Sequence, residues 1–169
     1  MTGSTFTDAE DTELVRLLGK VATNSGFWPS EAAMRAAHGA ASMWAPELVI
    51  FRRVWRQREV LLRVYEEGAE AFLGMWHLPG GYNRWPELDI QATCSRIAKR
   101  EIGVDVVFKG TLFAYKWRPG EHPYGRPLSL YVECQPVSDI EITGKSRFFP
   151  LNKLPENMVV PHKWFLETL

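Results

Sequence analysis

The chain has little of several features that would decide its class at once. Only 2 cysteines occur in 169 residues, too few for a disulfide scaffold. Cys94 and Cys134 instead suit free buried thiols in a reducing compartment. No apolar run approaches the roughly 20 residues of a membrane span. The first ten residues, Met1-Thr-Gly-Ser-Thr-Phe-Thr-Asp-Ala-Glu10, are polar and acidic, unlike a signal peptide, so a cytoplasmic location is expected, with no membrane partner. Charge of one sign is missing too. The 20 Lys+Arg face 20 Asp+Glu, which excludes a general polyanion-attracting field and argues against bulk nucleic acid as a partner. The 4 histidines stand at no metal-site spacing to one another or to a cysteine. Internal repeats, low-complexity tracts and long flexible linkers are absent.

What is present is enough apolar material, 46% of the chain, for one domain with a genuine core and an appendage. Thr7 and Glu10 are spaced as a capping box before Leu14, Leu17, Leu18 and Val21 at helical spacing. Ser30 is placed to cap a second helix running through Met43, and Pro46 closes the region. Residues 1–45 therefore read as a helical extension. Three roles are open to it: packing on the sheet, a dimer contact, or a roof over a cleft. Strand-like stretches follow: Glu47-Leu-Val-Ile-Phe51 with Glu59-Val-Leu-Leu-Arg63 as a hairpin, then residues near Thr111–Trp117 and Leu128–Cys134, and Arg147-Phe-Phe-Pro-Leu151.

The turn Leu78-Pro-Gly-Gly81 carries the most chemistry. Glycine admits positive φ and has no Cβ, so the backbone can pass close to a ligand or ion. Asp89 is positioned to cap the next helix, with Ile90, Cys94, Ile97 and Ala98 as its apolar spacing and Gly103 as its end. The spacing predicts a helix over roughly 89–102. On it Ile97, Arg100 and Glu101 fall at i, i+3 and i+4 and share a face.

Gly81, Glu87 and the run Arg96-Ile97-Ala98-Lys99-Arg100-Glu101-Ile102-Gly103-Val104 resemble the box of the Nudix hydrolases. That pattern is Gly, five residues, Glu, seven residues, then Arg-Glu-aliphatic-any-Glu-Glu-any-Gly-aliphatic. Arg96, Glu101, Gly103 and Val104 match. Ile97 and Arg100 stand where two of the three metal-binding glutamates belong, and one extra residue separates Glu87 from Arg96. The resemblance covers about residues 46–169, including Trp76–Gly81, Leu154–Met158 and Val160-Pro-His162. It implies an α+β fold, an α/β/α sandwich with a mixed β-sheet, as a Nudix domain at 46–169.

GDP-mannose mannosyl hydrolases are similar in having an aliphatic residue and a non-acid at these two positions. They keep the Arg and the last Glu, bind one Mg²⁺ and cleave the sugar C1–O bond. Carried over, this resemblance makes Glu101 and the Gly80 carbonyl ligands of Mg²⁺ or Mn²⁺, places Arg96 near the diphosphate, and implies a homodimer. The substrate class would be a nucleoside diphosphate linked to another moiety, possibly a nucleotide sugar. The alternative is a catalytically inactive Nudix domain that binds a nucleotide or a protein partner.

The histidine base of those relatives has no counterpart in Asp139–Lys145, where Glu141 is the substitute candidate or else a solvated acid. Their arginine after Gly-Gly is Tyr82 here, with Arg84 nearby. The loop Arg118-Pro-Gly-Glu-His-Pro-Tyr-Gly-Arg-Pro127 gathers Arg118, His122, Tyr124 and Arg126, either to recognise a base or sugar or as a plain connection. Arg100 has two readings as well: it grips phosphate, or it pairs with Glu101 and shuts the metal site. Trp85 and Trp117 are candidates for base stacking. His77 reads as a packed or surface imidazole near the turn, and His162 as structural.

Overall fold

The computed structural model describes residues 7–23, 30, 32–33, 43–66, 72–84 and 87–169. The Thr7 amide donates to Glu10 Oε2 (2.8 Å) and the Glu10 amide to Thr7 Oγ1 (3.3 Å). These are the reciprocal bonds of a capping box, and helix α1 follows at Asp8–Thr23. Leu14, Val15, Leu17 and Leu18 on it are exposed. At the second expected helix, the Ser30 hydroxyl accepts from the Ala33 amide (3.3 Å); the rest of that segment, with His38, lies outside the described residues.

The strand β1 (Trp44–Val49) begins the sheets. The expected hairpin of 47–51 with 59–63 is corrected here, because the chain changes sheets at Ile50. β1 pairs in parallel with β6 (Leu128–Pro136). Only β2 (Phe51–Val54) forms the hairpin with β3 (Gln57–Val64), and it turns at Trp55, whose φ is 57°. Beyond β6 lies β5 (Val106–Lys116), antiparallel to it, which completes a sheet of order β1-β6-β5. In the second sheet β3 is the hub, pairing with β2, with β7 (Ser146–Pro150), and at its end with β4 (Trp76–His77). The sheet structure is therefore mixed, as expected.

Period-two alternation divides the core into two layers. Leu48, Ile50, Leu61 and Val132 face helix α2 (Ile90–Ile102) and pack with Cys94, Ile97, Ala98 and Ile102. Val49, Val60, Leu62 and Tyr131 face the opposite way, onto Phe165 and Leu166 of helix α3 (Val160–Glu167). The result is the expected α/β/α sandwich. Helix α2 is bounded as its sequence predicts: Asp89 accepts from the Ala92 amide (2.7 Å), and Gly103 closes it at φ 75°. Cys94 and Cys134 are buried free thiols.

The site follows from two placements. Ile97 is fully buried in the first core layer, so an acid at that position would bury its charge. The Pro79–Gly81 turn lies along β1: the Leu48 amide donates to the Pro79 carbonyl (2.7 Å), and the Gly81 amide to the Pro46 carbonyl (3.3 Å). Backbone pairing thus holds the turn over Glu47 and beside α2.

Candidate active site

Neither glycine of the turn is there for a left-handed φ, which both avoid. Close approach is what requires them. A Cβ on Gly80 would stand 1.9 Å from Glu47 Oε2, and one on Gly81 would stand 3.2 Å from an Arg100 nitrogen.

Arg96 and Glu87 pair despite the extra residue between them. Arg96 also donates to the Tyr82 carbonyl (2.7 Å), while Glu87 accepts from the Arg84 amide (2.9 Å) and the Thr93 hydroxyl (2.8 Å). Burial pushes the Glu87 carboxyl up, but Arg96 and these donors outweigh it and hold the group below its usual range. The structure thus places Arg96 as the brace tying Tyr82 and Glu87 to α2. Arg96→Ala leaves a half-buried carboxylate without its cation and should cost about 2–3 kcal/mol, the scale of hydrogen bonds to charged groups. A urea melt measures it, and an unchanged midpoint would show that the loop does not depend on this pair.

The two atoms expected to bind a divalent ion, the Gly80 carbonyl and the Glu101 carboxylate, do converge. What they converge on is Arg100, whose Nε donates to Glu101 Oε1 (2.8 Å) and whose Nη2 donates to the Gly80 carbonyl (3.1 Å). Arg63 takes the other Glu101 oxygen (3.3 Å) and also bonds the Glu101 backbone carbonyl. One carboxylate is thus shared by two guanidiniums. A divalent ion needs that carboxylate together with the carbonyl, so the residues present do not fit one.

Above the turn lies an open cleft of about 1140 Å³, solvent-open volume included. Its charged lining is Arg63, Arg84 and Arg100 against Glu66 and Glu101. Burial lowers the Arg84 pKa, and the neighbouring Arg96 and Arg100 cations lower it further; such a set favours an anion between its members. Deeper in is a pocket of about 480 Å³, solvent-open volume again included, that shares Tyr65, His77, Gly80, Gly81, Tyr82 and His122 with the cleft.

Glu47 lies in the deeper pocket, and Ser129 connects it to the aromatic wall. The Trp117 indole donates to Ser129 Oγ (2.9 Å), which donates to Glu47 Oε1 (2.9 Å). Burial pushes the Glu47 carboxyl up to about 8, with the Glu101 charge adding to the shift and the Ser129 bond opposing it. His162 Nδ1 accepts from the Leu78 amide (3.1 Å), which leaves its proton on Nε2, 3.8 Å from Glu47 Oε2. His77 donates from Nδ1 to the Leu78 carbonyl (2.6 Å). Burial lowers His77 to about 4 and His162 well below its usual range. At neutral pH Glu47, His77 and His162 are therefore largely uncharged, whereas the cleft outside carries three arginines against two glutamates.

Of the other residues expected at the site, the structure brings Arg84, His122 and Tyr124 to the cleft wall. His122 accepts from the Tyr124 amide (3.1 Å) and lies 3.3 Å from the Tyr82 hydroxyl. Glu141, Arg118 and Arg126 are exposed and line neither space. Glu141 as the base is therefore not brought to Glu101; the 137–145 connection carries it on the surface. Trp117 is buried rather than free to stack, and Trp85 lies outside the described residues. Sequence reading missed Glu47, His77 and His162 as a pocket group. The signal was a single acid inside an otherwise apolar strand, Ala45-Pro-Glu-Leu-Val-Ile50.

No family model matches the chain, and no curated protein matches it in sequence. Solved structures do match in shape. A MutT NUDIX hydrolase from Burkholderia pseudomallei aligns over 76% of this chain and 98% of its own, at 17% identity and a TM-score of 0.63. An ADP-ribose pyrophosphatase from Streptococcus suis aligns over 76% and 92%, at 19% identity and 0.51. The NUDIX domain of Shewanella oneidensis NrtR, complexed with ADP ribose, aligns over 82% and 96%, at 19% identity and 0.53. At these identities the likeness is one of fold.

Proposed function

We propose, from a chain that has the fold of the Nudix hydrolases, a Nudix-type hydrolase for a nucleoside diphosphate linked to another moiety, such as a nucleotide sugar. The observation that carries this reading is an arginine-lined cleft opening onto an aromatic pocket around the Pro79–Gly81 turn. A diphosphate fits the arginines by charge and by bidentate geometry. The pocket, with Tyr82, Trp117 and His122 on its walls, suits a sugar or base. ADP ribose in one structural neighbour and ADP-ribose pyrophosphatase as another support a ligand of this class. In the same reading residues 46–169 are the Nudix domain, residues 1–45 an added helical segment, and the chain a homodimer. Arg84 and Arg100 hold the diphosphate and stabilise it as a leaving group, and Glu47 lines the deeper pocket beside Gly80, which both spaces share.

The second reading is a Nudix domain that binds such a compound without turning it over. It is favoured by Glu101, the remaining acid of the helix face, being engaged by two guanidiniums.

Incubation with a panel of nucleotide sugars and dinucleotides in ¹⁸O-water, analysed by mass spectrometry, separates the two. Hydrolysis is expected to fall about tenfold or more in Arg84→Ala, the effect of losing one charged contact to a transition state. Label on the sugar marks C–O cleavage, and label on phosphate marks phosphoryl attack. Binding without turnover assigns the second reading, and no binding across the panel sinks both.

A further inference from the structure

We infer that Arg100 is the built-in cation of this site, so that the chain binds a diphosphate without a divalent metal. The inference rests on the diphosphate reading above and names how the charge is met. Arg100 spans the Gly80 carbonyl and the Glu101 carboxylate, the two atoms to which an ion would have to bind. Arg63 closes the second Glu101 oxygen and pairs with Glu66 as well, so the Glu101 carboxylate is shared by two guanidiniums before any ion arrives. A divalent cation entering there would have to displace both of them to reach a carboxylate oxygen.

The same arrangement leaves Arg100 suited to phosphate. Its Nη1 has no hydrogen bond among the described residues, and its side chain is 42% exposed on the cleft. Held from behind by a carbonyl and a carboxylate, the guanidinium is oriented in advance, and Nη1 keeps its two N–H donors for phosphate oxygens. Ile97 adds a second reason. In the first core layer it gives the helix an apolar side chain where another ligand would have to come from, so Glu101 has no carboxylate partner on that face. Of the other acids nearby, Glu47 gives Oε1 to Ser129, and Glu66 pairs with Arg63 and Lys145.

Two titrations test this. Free Mn²⁺ is followed by electron paramagnetic resonance in the absence of nucleotide, for wild type, Arg100→Glu and Arg100→Ala. Inorganic pyrophosphate is followed by calorimetry, in EDTA and in excess Mg²⁺. Wild type should leave Mn²⁺ unbound, whereas Arg100→Glu, which supplies a second carboxylate beside Glu101, should bind one equivalent. Pyrophosphate should bind wild type in EDTA within about threefold of its Mg²⁺ value, and Arg100→Ala should weaken it by about tenfold, one charged contact on the affinity scale. Arg100 is exposed, so both variants are expected to melt as wild type does, and Arg100→Ala carries the test alone should Arg100→Glu not fold.

Mn²⁺ bound by wild type and lost in Glu101→Gln overturns the inference. So does pyrophosphate that binds only with Mg²⁺, or not at all. Failure of the diphosphate reading looks different: no nucleotide of the panel binds in either buffer, while the Mn²⁺ titration still reports on Arg100 by itself.

Discussion

Gly80→Ala is expected to lower the melting midpoint of this protein by about 10 °C, from a loss of about 3 kcal/mol at the 2–4 °C per kcal/mol of a domain this size. The backbone at Gly80 is open to alanine, since its φ is not left-handed. The effect comes from one contact. The new methyl would lie 1.9 Å from Glu47 Oε2 and 3.2 Å from the Pro46 carbonyl, and overpacking on this scale costs about 1–3 kcal/mol. Glu47 can yield only by giving up Ser129 or by moving the turn off β1, which adds about 1 kcal/mol for the hydrogen bond. A double-mutant cycle isolates the cause. In a Glu47→Ala background the same substitution should cost about 1 kcal/mol or less, because the obstructing carboxyl is gone. Equal losses in both backgrounds would mean that the turn does not rest on Glu47.

Stability should peak near pH 6.5 and fall on both sides. In the folded chain Glu47 holds its proton to about pH 8, whereas its ordinary value is 4.5. Between those values the folded state carries the extra proton, so stability drops as pH rises through that window. His77 acts oppositely. Burial holds it to about 4 against an ordinary 6.5, so the unfolded state binds the extra proton there, and stability is lost as pH falls from 6.5 toward 4. His162 is lowered for the same reason and adds to that limb. Below pH 6.5 two histidines outweigh one carboxyl; from there to about pH 8 the Glu47 carboxyl dominates. The alkaline loss, over the roughly 1.5 pH units from 6.5 to about 8, is about 2 kcal/mol. Thermal melts from pH 4 to 9 on wild type and Glu47→Gln check this. The variant should lose the alkaline fall and keep the acid limb, and an alkaline fall that survives the substitution would assign it to another group.

Much of the architecture was legible in the residues. Asp89 and Gly103 bound α2 because a capping carboxylate and a left-handed terminus are demands of the local backbone. The Thr7–Glu10 box formed for the same kind of reason. β1 was harder. Its alternation continues into β2, and nothing local records that the chain leaves one sheet for the other at Ile50. The site was legible in part. The Gly-Gly turn was read correctly as a close approach, but to Glu47 and Arg100. Glu87 found Arg96 across an extra residue, and Arg96 holds the Tyr82 carbonyl as well.

By itself, then, the sequence determined this protein's periodicities, helix ends and turn residues, and with them an α+β sandwich in which one acid remains on the key helix face. Those depend on contacts a few residues apart. Only the tertiary structure decided that Arg100 would close on Glu101 and Gly80, that Arg96 would brace a loop, that Glu141 would stay on the surface, and that Glu47 would become a buried acid between a turn and two strands. Each of these is a choice among partners far apart in the chain. A charged side chain takes whichever partner the packed backbone brings within reach, and burial sets the state of whatever it encloses.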